Sequence, residues 1–393
     1  MKYASRILSL LAVAVSLIVL AACGQQASCS GISFGGTGST GGGATGGLNS
    51  GGTVCGSGGG NNGGAADFLF FQQQGNILNT ATFNGSTLTA NLTGSVPSLG
   101  NGAGADMVVV NKSFLYLTWI PQGGVGQVLA YAINRSSGSL TAITGSPFDT
   151  GTSKADSIVA DPGGRYLIVG NSANGDLVSF KIDQTTGALT LTPGSPLANA
   201  NVAPTHLTVD GLGNFLYVTD VSNLGDVFGF TVDPTTFDLT PMPTSPFFFG
   251  VTKVAGEPSG QFLLGVDGSN SVDVITIQPG TGELLTDVTY PSTHSGDNIL
   301  VHPSGKFVYV YSLGNPMEGF SFSGGALTAL PGSPFTAFPI LDPCKIDQNG
   351  TAIFGYTTTG GFGVRKIDPA TGLITGATPD LSVTSSPNFA PTN

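Results

Sequence analysis

The chain reads as an all-β protein, a seven-bladed β-propeller built of four-stranded blades. Three observations carry that reading. Charged residues are only 9% of the 393 residues, while glycine alone supplies 61, a balance that favours strands joined by tight turns. One unit recurs: Asp161-Pro162-Gly163-Gly164-Arg165-Tyr166-Leu167-Ile168-Val169 returns as Asp210-Gly211-Leu212-Gly213-Asn214-Phe215-Leu216-Tyr217-Val218 and as His302-Pro303-Ser304-Gly305-Lys306-Phe307-Val308-Tyr309-Val310. Its leading aromatics, Phe68, Phe114, Tyr166, Phe215, Phe262 and Phe307, stand 45 to 52 residues apart, the period at which four short strands form one repeat.

Each unit divides in the same order. In the third copy Ser157 to Ala160 is an inner strand, followed by an Asp-Pro-Gly-Gly turn in which Pro presets φ and Gly accepts positive φ. Arg165 to Gly170 is a second strand, and Asn174-Gly175 turns into Leu177 to Ile182, which alternates with period two. Thr186-Gly187 then leads to an outer strand, Ala188 to Leu191, that ends at Gly194-Ser195-Pro196. The Thr-Gly turn recurs at Thr281 and Thr371, and Gly-Ser-Pro at Gly145 and Gly332. The first copy lacks an inner strand, and Pro387 to Asn393 align with Pro204 to Asp210, an inner strand standing alone. The C-terminus is therefore expected to complete the first blade, close the ring and remove the open edges that invite aggregation.

The first residues read as an export signal, not as fold. Lys2 and Arg6 precede an apolar run from Ile7 to Leu20, short for a comfortable membrane span. Leu20-Ala21-Ala22-Cys23 resembles a bacterial lipobox, which implies a signal peptide over 1–22, lipidation of Cys23 and stable anchoring by more than one acyl chain. Gly24 after the cysteine, where Asp would retain the protein, implies the outer membrane of the cell envelope. Residues 23–65 form a Gly/Ser/Thr/Asn tract that buries too little apolar surface to order itself, hence a flexible tether. Cys29 and Cys55 lie in it, either paired or free. Cys344 has apolar neighbours and reads as a buried structural thiol. The propeller takes residues 66–393.

The unit Asp-Pro-x-Gly-x-aromatic-Leu-Tyr-Val, followed by Phe-x-Ile-Asp, Thr-Gly-x-Leu-Thr and Gly-Ser-Pro, resembles the lactonase-type propeller family, which includes 6-phosphogluconolactonase-like enzymes and YVTN-repeat surface proteins. That resemblance implies activity on anionic sugar lactones or related acids at the centre of one face, through His, Arg and Glu side chains. The mature arginines do not fit: Arg135 and Arg165 fall in or beside turns on the opposite face, and Arg365 on a third strand. Phosphogluconolactonase activity is accordingly not expected.

The repeat register nonetheless marks one mouth of the central channel. Five residues before each turn aspartate stand Asp106, Asp156, Thr205, Thr252, Asp297, Asp342 and Asn388, followed in sequence by Ser157, His206, Lys253 and Asn298. Second strands end on the same face at Trp119, Asn171, Asp220 and Asp267. Together these predict an acidic, polar funnel in which His206 is the best candidate for acid–base work, with Asp156 and Lys253 on flanking blades and Trp119 as a stacking platform. Several carboxylates around one channel would also suit a hard cation such as calcium; equally, Asp at a strand start is a turn device bonding backbone two residues on. His302, in the place of a turn aspartate, reads as structural and His294 as exposed. No Cys/His metal spacing, phosphate-binding loop or nucleophile elbow is present. With 12 Lys and Arg against 23 Asp and Glu, the chain cannot neutralise a phosphate backbone, so nucleic acid is not a partner. The expected role is a monomeric binding or scaffold module for a polar ligand, glycan or protein, the other reading being a lactone hydrolase.

Overall fold

The computed structural model describes residues 67–393, apart from 74–75, 84–87, 97–98, 199–202, 221–224, 313, 336–339, 348, 358–360, 378–380, 383–387 and 392–393. The expected leader, Cys23 and the expected tether with Cys29 and Cys55 lie outside the described residues. Seven antiparallel sheets follow one another along the chain, each with four main strands ordered from the centre outward. Their inner strands, blade 2 to blade 7, are Gly102–Val110, Ser157–Ala160, Pro204–Val209, Lys253–Gly256, Asn298–Val301 and Ile340–Ile346. Blade 1 opens on its second strand, Asp67–Gln73. Its inner strand is Asn388–Pro391 from the C-terminus, with Phe71 opposite Phe389 and Gln72 opposite Asn388. The ring closes as expected. Blades 7 and 1 pack directly, Phe71 against Phe362 at 5.3 Å and Phe83 edge-on to Phe354 at 5.4 Å between centroids.

The repeated residues hold blade to blade. Tyr116, Tyr217 and Tyr309 are buried and donate their hydroxyls to Gly187, Gly282 and Gly372 of the next blade, at 2.8, 2.7 and 2.6 Å. Those glycines close the Thr-Gly turns with φ of 73°, 75° and 72°, and a Cβ there would strike Phe114, Phe215 and Phe307 respectively. Glycine is thus required twice at each position, by conformation and by contact. In blade 4 Phe237 takes that left-handed place, at φ 63°, and stacks on Tyr166 at 5.1 Å. The serines of Gly-Ser-Pro and its variant Thr244-Ser245-Pro246 accept third-strand amides: Ser146 from Ala130, Ser195 from Ser179, Ser245 from Gly229 and Ser333 from Gly319, at 2.8 to 3.0 Å. The Ser-Pro bond is cis at each of these four places.

The turn acids are sealed into backbone. Asp210 accepts the amides of Leu212, Asn214 and Phe215, Glu257 those of Ser259, Gln261 and Phe262, and Asp347 those of Thr351 and Ala352. His302 does the same work. Its Nε2 lies 2.9 Å from the Gly350 carbonyl and so carries the proton, leaving Nδ1 to accept from Ser304 N. Cys344 is 2% exposed, a buried thiol as expected.

Candidate functional site

The inner strands alternate between blade core and channel. Ile158, Leu207, Val254 and Ile299 are buried in the blades, so their neighbours Ser157, His206, Lys253 and Asn298 turn toward the lumen. These four, together with Asp106, make a polar collar that runs from blade to blade. An Asp106 oxygen accepts Ile158 N of blade 3 at 3.1 Å while the other accepts Met107 N at 3.0 Å. Ser157 donates to Pro204 O of blade 4 at 2.9 Å. His206 Nε2 lies 2.9 Å from Val254 O of blade 5, and the Lys253 ammonium donates to Asn298 Oδ1 of blade 6.

The electrostatics of the collar follow from burial. Asp106 and His206 keep some accessible surface yet are surrounded by protein, so both are pushed toward their neutral forms. Burial raises the Asp106 carboxyl to about 7, against a smaller opposing pull from Lys345. Burial lowers His206 to about 4, helped by the ammoniums of Lys253 and Lys345 and opposed by the bond to Val254. His206 is therefore a neutral imidazole at neutral pH, with Nε2–H given to a carbonyl and Nδ1 the acceptor.

The other predicted residues fall in separate places. Asp156 accepts the amide and hydroxyl of Ser172, at 2.8 and 2.5 Å; it staples its own loop and is not joined to His206. Thr252 donates to Val266 O at 3.0 Å, and Asp267 closes a turn by accepting Ser269 N at 2.7 Å. Asp297 is exposed just before its strand, its amide bonded to Tyr311 O. Asn171 is fully buried and accepts Ala173 N. Trp119 differs from expectation: it is 3% exposed and leaves no room for a Cβ at Gly102, so it is wall and not a stacking platform. Among the described residues no three His, Cys, Asp or Glu side chains come together. Asp342, Asp220 and Asn388 lie on described strands, but their side chains, with that of Thr205, are outside the described residues.

Two features escaped the sequence reading. Lys345 acts on both Asp106 and His206 and could have been found by carrying the register two residues before Asp347. His294 is not merely exposed. Its Nδ1 lies 3.2 Å from Glu318, whose carboxylate also collects Thr293 N, His294 N and the hydroxyls of Ser292 and Thr293. These bonds outweigh burial and hold Glu318 below the usual carboxylate range. The arginines sit where the register put them: Arg135 donates to Asn111 O and Ser113, Arg165 pairs with Asp161 at 2.7 Å, and Arg365 is buried on a third strand.

The opposite end of the channel mixes apolar side chains with Asn111 and Asp161. A cavity of about 450 Å³ opens there among the turns, lined by Val108, Val159, Val209, Pro162, Pro258 and Pro303.

Residues 71–201 match the family model described as lactonase, 7-bladed β-propeller. The chain is similar in structure to a candidate 6-phosphogluconolactonase from Bacteroides uniformis, with a TM-score of 0.60 and 17% identity over 83% of this chain and 100% of that one. It is similar also to the periplasmic gluconolactonase of Pseudomonas aeruginosa, with a TM-score of 0.59 and 17% identity over 82% of this chain and 99% of the other. At such identity the likeness is one of fold. Among curated proteins none matches. The likeness to the lactonase family is thus carried by residues 71–201, and the likeness over the whole ring is that of the propeller fold.

Proposed function

We propose that this lactonase-type propeller is an exported, lipid-anchored envelope protein that binds a small, polyhydroxylated ligand at the polar end of its channel. The observation that carries the reading is the collar. Ser157, His206, Lys253 and Asn298 present hydroxyl, imidazole, ammonium and amide groups to one lumen, the mixture that recognises sugar hydroxyls. Binding is favoured over turnover because the three residues expected to catalyse are engaged apart: Asp156 with Ser172, His206 with Val254 and Lys253 with Asn298. General acid–base work would need them to converge on one reacting atom.

Lactone hydrolysis is the second reading, supported by the family match over residues 71–201. In it His206 Nδ1 would accept a proton from attacking water. Residues 66–393 assayed against a panel of sugar lactones separate the two. The binding reading expects saturable binding of a lactone or sugar with no turnover above background. Turnover that disappears in His206→Ala would overturn it in favour of the hydrolase.

A further inference from the structure

The cavity of about 450 Å³ among the turns is walled by Val108, Val159 and Val209 and rimmed by Pro162, Pro258 and Pro303, which are exposed. Its polar lining groups already have partners: Asp161 takes the Arg165 guanidinium at 2.7 Å, and Asn111 donates to Gln184 at 3.1 Å. Beside Gly211 of the lining stands Leu212, 57% exposed. The same turn position holds Gly163, Ser259, Ser304 and Asn349 in other blades. An exposed leucine next to valines and prolines suits an uncharged, apolar occupant. The chain enters the ring on this same face. Asp67 begins the second strand of blade 1 opposite Phe83, the last residue of the third, and Leu69 faces Pro391 at the end of the inner strand. Phe68 covers the turn glycine Gly138. Residues 24–66, just before Asp67, contain no Asp, Glu, Lys, Arg or His and a single aromatic, Phe34, two places after Ile32.

We propose that the segment Ile32-Ser33-Phe34 docks into this cavity and plugs the turn end of the channel from within the same chain. The inference stands apart from the binding reading, which concerns the other end. Length permits it. Thirty-two residues, 35–66, separate Phe34 from Asp67, and a Gly/Ser-rich coil of that length spans about 30 Å. Asp67 lies one strand out from the innermost, and strands stand about 4.8 Å apart, so the cavity is within that span. Chemistry permits it too: the segment brings no charge to be desolvated, and its two large side chains meet valine and proline. A linker of this kind holds its end at an effective concentration of about 1 mM, so a site with an affinity of about 0.1 mM for the free tripeptide is filled about tenfold over. The plug leaves the polar mouth open. With the anchor proposed at Cys23, eleven residues before Phe34, it also turns that mouth away from the membrane.

The test is photo-cross-linking of residues 24–393, which keep the whole ring and the segment, carrying Phe34→p-benzoylphenylalanine. Irradiation is expected to join position 34 to Val159, Val209, Leu212 or Pro258 of the same molecule. The same group placed by Leu48→p-benzoylphenylalanine, nearer the ring along the chain, should give little of that product. Amide exchange supplies a second readout on unmodified side chains. Residues 159–164 and 209–213 should exchange up to about tenfold more slowly in the parent than in Ile32→Ser/Phe34→Ser, the ratio set by docking. Neither variant alters the ring itself, so both fold if the parent does. Cross-links to the polar mouth, scattered cross-links, none at all, or equal products from positions 34 and 48 overturn the proposal. Equal exchange in parent and double variant overturns it as well. Products joining two molecules would give the cavity to a second copy of the chain and overturn the intramolecular plug.

Discussion

At the scale of single residues, the chemistry of this protein comes from burial. Asp106 and His206 have ordinary partners, a pair of amides and a carbonyl, but both sit in a lumen that disfavours their charged forms. Their effects on stability oppose each other. The Asp106 carboxyl titrates near 7 in the fold against about 3.8 unfolded. The unfolded chain therefore ionises first, and stability is lost as pH rises from about 4 to 7. His206 titrates near 4 against about 6.5 unfolded; its contribution is present above 6.5 and lost as pH falls toward 4. In Asp106→Asn the first of these disappears. Urea midpoints should show the variant gaining on the parent between pH 4.5 and pH 8, whatever fixed cost the amide carries. A parent-to-variant difference that is the same at both pH values would show that Asp106 does not titrate in this range.

At the scale of elements, each blade is legible because each repeated residue has one neighbour to serve. The tyrosine after the leading aromatic finds the next blade's Thr-Gly carbonyl, and the turn acid satisfies amides of its own hairpin. Such contacts recur with the repeat, so the sequence displays them as a period. The lone strand Asn388–Pro391 is the exception that tests the ring. It pairs with Asp67–Gln73 and is the inner strand of blade 1, far from it in sequence. Deleting residues 387–393 should expose that edge and open the seam between blades 7 and 1, where Phe71 meets Phe362. Each large apolar side chain uncovered costs about 1.5–3 kcal/mol, so the urea midpoint of the whole domain should fall. A truncated protein as stable as the parent would mean that the ring does not depend on this closure.

At the scale of the whole molecule, a closed ring follows a long glycine-rich segment of sequence. The whole chain carries a net charge of −11, a field that disfavours polyanions at long range. If Cys23 carries the anchor, Cys23→Ser should appear in the soluble fraction of a cell lysate while the parent sediments with membranes. Equal sedimentation of both would remove the anchor from the account.

Periodicity determined the all-β class, the seven blades, the inner strand at the C-terminus and the face on which the collar lies, because local turn chemistry and strand alternation repeat identically from blade to blade. It also placed the three mature arginines away from that face. Which mouth residues share a lumen was decided by tertiary structure alone. Trp119 went into the wall, Asp156 was claimed by Ser172 and Asp267 by Ser269. Lys345, passed over in the sequence, came to act on Asp106 and His206 from another blade. Register says where along a strand a residue stands; only the closing of seven blades around one axis sets the distances across it, and electrostatics in the lumen depends on those distances.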